Sequence, residues 1–239
     1  MNLFRIIHLK ETESTNKYAK ALLKNGELFA PFTLIYADNQ TKGRGRLGRS
    51  WESKEGDTLC MSLIASYPHK PAITLLSALA VYSVLRKHCD NLKIKWPNDI
   101  VSENKKLCGI LTESTPESAI IGIGINLNST EFSSDIANKA TSLRLLTGKI
   151  YNPYKLAKKI SKELIKILKE TDSQLTGSSL KKYTSLCINI GKECIYQEKK
   201  VVATGIDTDG SLLVKSDEFN GKISSGEVFV SGIYQDFKS

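Results

Sequence analysis

The chain has 239 residues, with 34 Lys+Arg against 25 Asp+Glu, for a formal net charge of +9. A hydrophobic fraction of 41% and a charged fraction of 25% suit a chain that folds around its own core and exclude a disordered polymer, and no apolar run reaches the roughly 20 residues that cross a bilayer as a helix. The positive charge leaves nucleic acid, an anionic small ligand or an acidic protein as candidate partners.

Near the N-terminus, Arg5, His8 and Lys10 interrupt the apolar Leu3, Phe4, Ile6 and Ile7. The segment therefore lacks the continuous apolar stretch of a signal peptide, and a cytoplasmic protein with no membrane partner is expected. Ser14 is a candidate N-cap for a helix that carries Tyr18, Ala21 and Leu22 and stops at Gly26. Residues 31–37 read as a buried strand leading into a glycine-arginine loop, and residues 58–66 as the next strand. The apolar stretch 71–89 is too long for a strand and reads as a core helix. Short strand-like runs follow at 92–96, 107–112 and 119–127, separated by polar turns such as Ser102-Glu103-Asn104-Lys105. Residues 152–170 place Leu156, Ala157, Ile160, Leu164, Ile167 and Leu168 at helical spacing, with Asn152 as N-cap and Pro153 in the first position. Beyond residue 186 come short runs at 188–190, 194–197, 201–205, 212–215 and 227–230, with a turn at Asp207-Thr208-Asp209-Gly210. These read as a small five-stranded barrel. Strands in succession, with helices grouped before and after them, indicate an α+β fold.

Charge is unevenly spread. Residues 42–49 carry +4 and residues 149–170 carry +5, whereas residues 181–239 sum to zero with eight cations and eight anions. A neutral barrel argues against a nucleic-acid-binding module. The lysines of 149–170 occupy the solvent face of an amphipathic helix, where they could also steer an acidic partner. Cys60, Cys89, Cys108, Cys187 and Cys194 are odd in number and form no C-x-x-C pair, and His8, His69 and His88 have no metal-ligand spacing. Reduced thiols are expected.

Gly43-Arg44-Gly45-Arg46-Leu47-Gly48 matches G-x-G-x-x-G formally, but residues 49–57 lack a helical apolar stripe, which that dinucleotide fingerprint requires. The segment reads instead as a loop whose Arg44, Arg46 and Arg49 offer planar charged forks to phosphate or carboxylate oxygens, with an unliganded basic loop as the alternative. Lys95-Trp96-Pro97-Asn98-Asp99 ends a strand in a turn that presents an amide and a carboxylate. Such a turn can orient a metal or accept a proton from an amine, and it is also ordinary turn chemistry. Lys106 stands at the mouth of a strand next to Gly109. In Gly122-Ile123-Gly124-Ile125-Asn126, alternate glycines bare one face of a strand, so a ligand or another part of the backbone is expected to pack there.

In order along the chain, Ser14-Thr15-Asn16, Gln40 with Gly43-Arg44-Gly45-Arg46 and Trp51, Lys95-Trp96-Pro97-Asn98-Asp99, Lys106-Leu107-Cys108-Gly109-Ile110-Leu111 and Gly122-Ile123-Gly124-Ile125-Asn126 resemble the motif set of biotin protein ligases. Gly205-Ile206-Asp207-Thr208-Asp209-Gly210 is similar to the start of that family's C-terminal SH3-like barrel. The resemblance implies a mixed-sheet catalytic domain over 1–183 and an SH3-like domain over 184–239; the stretch Met1 to Glu13 is too short for the N-terminal DNA-binding domain that some relatives carry, so a form without it is expected. It further implies activation of biotin by ATP and Mg²⁺ to biotinyl-5′-AMP, then transfer to a lysine of a biotin carboxyl carrier domain; DNA binding is not expected and a homodimer is left open.

By the same resemblance, Ser14, Thr15, Asn16, Gln40, Gly43, Arg44, Gly45, Arg46, Lys106 and Gly109 would bind biotin. Arg44, Arg46, Arg49, Trp51, Asn98, Lys106 and Asn126 would bind ATP, with Trp51 stacked on adenine. Lys106 would be the catalytic cation, Arg46 part of a lid, and Asp99 the group that orients or deprotonates the acceptor lysine. Lipoate ligases and octanoyl transferases share the catalytic fold and are the rival reading. The last run, from Glu227, offers no arginine where some relatives place one near the ATP phosphates.

Overall fold

The computed structural model describes residues 4–27, 30–66, 72–217, 220–230 and 232–234; Leu3, His69, Pro71 and Ser231 lie outside them. Strands β1 (Phe4–Thr12), β2 (Phe32–Gln40), β3 (Thr58–Ala65), β4 (Leu92–Lys95), β5 (Asp99–Ser102), β6 (Lys105–Ser114) and β7 (Ala119–Asn126) form one sheet in the order β1-β2-β3-β7-β6-β5-β4. β1 runs parallel to β2, and the other neighbouring pairs are antiparallel.

Both faces of the central strands are covered, which is why all eight residues of β3 are buried and the segment reads as a continuous apolar run. Strand alternation divides the faces. Leu59, Met61 and Leu63 of β3, with Ile121, Ile123 and Ile125 of β7, join the main core with α2 (Ala72–Leu85) and α4 (Pro153–Glu170). The intervening Ile64 and Ile120 pack on Ala19 and Leu22 of α1 (Thr15–Lys24). Helix α2 is apolar all round because it sits between strands β4 to β6 and the helices α4 and α5 (Gly177–Leu186). A short α3 (Leu143–Thr147) is capped by Ser142, whose hydroxyl accepts from the Leu145 amide.

A second, antiparallel sheet follows: β8 (Glu193–Tyr196), β9 (Lys199–Ile206), β10 (Leu212–Lys215), β11 (Asn220–Ile223) and β12 (Phe229–Val230), in the order β11-β10-β9-β8-β12. Trp96 ties the two sheets together. Its buried indole donates to the Gly210 carbonyl at 2.9 Å and its amide to Asn189 Oδ1 at 2.9 Å, while the Tyr183 hydroxyl donates to the Pro97 carbonyl at 3.1 Å. The turn after β4, which contains a cis Trp96-Pro97 bond, is therefore held from both sides.

The expected α+β architecture is present, with differences in detail. Asn152 caps α4 as expected, its Oδ1 accepting from the Lys155 amide at 2.8 Å. Ser14 occupies the N-cap position of α1 without a side-chain capping bond. Helix α5 starts after Thr176, whose amide donates to Ser179 Oγ at 3.1 Å. Strands β1, β5 and β11 were not anticipated, and residues 188–190 form a turn. The five cysteines are free thiols, four of them buried.

Candidate functional site

A cavity of about 770 Å³ opens on the α1 side of the large sheet. At one end the start of α1 presents polar groups to the sheet. Gln40 Oε1 accepts from the Thr15 amide at 2.8 Å and from the Thr15 hydroxyl at 3.1 Å. Ser62 Oγ, fully buried on β3, lies 2.7 Å from Thr15 Oγ1 and 2.6 Å from Asn16 Oδ1. The Asn16 amide donates to Glu113 Oε2 at 2.8 Å and to the Leu111 carbonyl at 3.2 Å. Thr15 and Asn16 are thus each held by several hydrogen bonds within the protein.

The bare glycine face is filled by side chains. A Cβ on Gly122 would come within 2.9 Å of Asn16 Cγ, and one on Gly124 within 2.7 Å of Trp51 Cζ2 and Nε1. Gly109 on the adjacent β6 would press on the same indole, at 3.1 Å from Trp51 Cζ3, and on Lys106 Cε at 3.1 Å. These glycines form a floor on which Asn16 and Trp51 rest. The Trp51 indole N–H is buried and has no hydrogen-bond acceptor among the described residues.

Trp51 closes the arginine loop. Its amide donates to the Gly43 carbonyl at 2.9 Å, and Gly45 donates to the Arg49 carbonyl at 2.8 Å. Between them a single short 3-10 turn spans Arg46–Gly48, with Leu47 in the left-handed region at φ 55°. No helix opens here, so the phosphate-binding geometry of a dinucleotide fold is absent from this loop. Arg46 reaches inward, donating to Asn98 Oδ1 at 3.0 Å and to the Gly226 carbonyl at 2.9 Å. Burial pulls its pKa down, opposed by Asp99 and Glu227. Arg49 pairs with Glu227 at 2.5 Å, and Arg44 is exposed.

The charged centre gathers residues from three strands and the chain's last described residues. Lys106 Nζ lies 2.9 Å from Asp99 Oδ1 and 5.8 Å from the centre of a Trp51 ring. The other oxygen, Asp99 Oδ2, accepts from the Tyr234 hydroxyl at 2.9 Å. Lys95 is buried with its ammonium 4.9 Å from the centre of the Tyr234 ring. Burial lowers its pKa, Asp99 opposes that shift and Lys106 adds to it. A register shift between Ile100 and Val101 in the β5–β6 pairing sits between Asp99 and Lys106, the kind of irregularity that re-aims side chains next to a site. Asn126 supports the Lys106 backbone by donating to its carbonyl at 3.3 Å and to that of Thr141 at 3.1 Å.

Of the residues singled out from sequence, Ser14, Thr15, Asn16, Gln40, Arg44, Gly45, Arg46, Arg49, Trp51, Asn98, Asp99, Lys106, Gly109 and Asn126 line this cavity. Gly43 does not; it is buried, and a Cβ there would meet the Trp51 backbone and, at 3.0 Å, Gln40 Nε2. Ser62, Lys95, Glu227 and Tyr234 were missed. Lys95 carried a signal, since it opens a motif already noted, whereas the C-terminal pair is placed by tertiary contact alone. The segment from Gly226 to Val230, with Ile233 and Tyr234, forms part of the wall. The lysine-bearing α4 packs on the opposite face of the sheet, so its solvent face points away from the cavity. No helix among the described residues is long and apolar enough to cross a membrane.

The chain belongs to the biotin/lipoate A/B protein ligase family, whose model matches residues 9–128. It is 35% identical to a Bacillus spizizenii protein named bifunctional ligase/repressor BirA, over 93% of this chain and 73% of that one. It is 26% identical to a biotin--[acetyl-CoA-carboxylase] ligase of Paracoccus denitrificans, over 94% of this chain and all of that one. Among solved structures, a biotin protein ligase from Aquifex aeolicus in complex with biotin and ATP superposes with a TM-score of 0.79 at 32% identity, covering 95% of this chain and 98% of that one.

Proposed function

We propose that the protein is a biotin–protein ligase, an enzyme that activates biotin with ATP to biotinyl-5′-AMP and transfers it to a lysine of a biotin carboxyl carrier domain. One observation carries this reading: a single cavity joins a hydrogen-bonded polar pocket (Thr15, Asn16, Gln40) to a cationic centre (Lys106, Lys95, Arg46) around one carboxylate. At about 770 Å³ it is of the size of pockets that bury ligands of this class.

In the first half-reaction two anions must meet. Lys106, freed from Asp99, bridges the biotin carboxylate and the α-phosphate, so that a carboxylate oxygen attacks phosphorus and pyrophosphate leaves. Ser14, Thr15, Asn16 and Gln40 hold the ureido end of biotin, while Arg44 and Gly45 line its passage into the loop. Trp51 stacks on adenine, and Arg46, Arg49 and Asn98 face the phosphates. The loop then shields the mixed anhydride from water. In the second half-reaction the acceptor amine attacks the anhydride carbonyl and AMP leaves. A lysine amine with an ordinary pKa of about 10.4 is a poor nucleophile at neutral pH, and Asp99 takes up its proton.

Mg²⁺ enters with ATP, neutralising phosphate charge. Among the described residues no group of three or more His, Cys, Asp and Glu side chains forms a cation cage. We read residues 1–183 as the catalytic domain and the second sheet, within 184–239, as an SH3-like barrel domain. Mass spectrometry of the protein incubated with ATP, Mg²⁺ and biotin tests this function: retained biotinyl-5′-AMP supports it. Adenylation of lipoate in preference to biotin overturns it.

A further inference from the structure

We propose that Tyr234, delivered by the segment after β12, positions Asp99 for the transfer half-reaction; this rests on the role given to Asp99 above. The two Asp99 oxygens have different partners. Oδ2 accepts a hydrogen bond from the Tyr234 hydroxyl at 2.9 Å. Oδ1 pairs with the Lys106 ammonium at 2.9 Å. When Lys106 turns to the biotin carboxylate and the phosphate, Asp99 loses its ion-pair partner. The tyrosine bond then fixes the plane of the carboxylate and leaves Oδ1 free for the incoming amine.

Tyr234 is well placed to hold that bond through the cycle. Its amide donates to the Asn104 carbonyl at 3.2 Å, in the turn between β5 and β6, and its ring lies against the buried Lys95 ammonium. Its backbone takes a left-handed φ of 65°, a conformation tyrosine rarely adopts and that persists where the surroundings over-determine it. Burial and the adjoining Asp99 raise the phenol pKa well above its ordinary value, so the hydroxyl remains a donor across the working range. Tyrosine is thus a permanent donor next to a carboxylate that has to change partners.

The test uses the full chain supplied with preformed biotinyl-5′-AMP and a purified biotin carboxyl carrier domain, so that adenylation is not measured. Tyr234→Phe keeps the ring over Lys95 and removes one hydrogen bond to a charged group. It should lower kcat for transfer about tenfold with KM for the carrier domain unchanged. In an Asp99→Asn background, where residue 99 can no longer take the amine's proton, the same change should have no further effect. Wild-type transfer by Tyr234→Phe, or an equal fold-loss in both backgrounds, overturns the inference while the functional reading stands. A wild-type protein that transfers no biotin overturns that reading and this inference with it.

Discussion

Replacing Gly124 with alanine isolates the contribution of the glycine floor. The added Cβ would lie 2.7 Å from Trp51 Cζ2 and Nε1, where ordinary contact begins at 3.4 Å, so the indole must lift by most of an ångström. β7 cannot yield instead, because it is hydrogen-bonded to β3 on one side and β6 on the other. Overpacking of this kind costs about 1 to 3 kcal/mol, and at about 1.4 kcal/mol per decade that corresponds to roughly 5-fold to 150-fold in the seating of Trp51. If Trp51 forms the adenine platform, KM for ATP should rise within that range. Its fluorescence should shift to the red, while Trp96, clamped between the sheets, reports no change. Gly205→Ala is the control, since its Cβ would meet Leu213 Cδ1 at an ordinary 3.4 Å. An unchanged KM for ATP together with an unchanged emission spectrum in Gly124→Ala would refute the floor argument.

Lys106→Ala removes the cation proposed to meet both reacting anions, and pyrophosphate release should fall by about 10²-fold to 10³-fold; an undiminished rate takes Lys106 out of the mechanism. Arg46→Gly severs the bonds to Asn98 and to the Gly226 carbonyl. The loop should then open more readily and biotinyl-5′-AMP escape, read as biotin on bystander lysines of an added protein; labelling confined to the carrier domain would contradict the lid role. On the second sheet, Lys222 holds Asp209 at 2.6 Å and Asp207 at 3.1 Å, and Asp209 is pulled down to about 2 from an ordinary 3.8. A folded-state pKa below the unfolded one gives stability that is present above about pH 4 and is lost as the pH falls toward 2. In Lys222→Ala the Asp209 carboxyl should therefore titrate closer to 3.8 by NMR, and an unmoved titration would exclude Lys222 as the cause.

What could be read from sequence follows from how local the determining physics is. Helix α4 was placed with its cap, because a 3.6-residue apolar period, Asn152 and Pro153 all lie within its own segment. The buried strands β2 and β3 announced themselves as apolar runs. By contrast, β1 alternates Phe4 and Ile6 with Arg5 and His8, and it becomes a strand by pairing in parallel with β2, whose first residue in register is 28 positions away. β5 has four residues directly after a proline turn, too few to show a period. The candidate site residues were picked out as motifs, and 14 of the 15 line one cavity. Their division of labour was not recoverable. The glycine face was read as room for a ligand or backbone, yet Asn16 and Trp51 occupy it, because a missing Cβ records a close approach without recording what approaches.

The C-terminal sheet shows the same limit in a form that bears on mechanism. Its neutral charge and lack of an arginine in the last run gave no sign of a place in the site. Yet Gly226 accepts from Arg46, Glu227 pairs with Arg49, and Tyr234 donates to Asp99. Three consecutive parts of the proposed chemistry, the lid, its neighbouring cation and the proton acceptor, therefore end on a nine-residue segment far from them in sequence. Trp96 fixes the distance over which these contacts act, since the turn that holds Asn98 and Asp99 is bonded to the same second sheet through Gly210. The anchor proposed for the loop and the support of Asp99 therefore both lie on the segment around β12, at the edge of the second sheet.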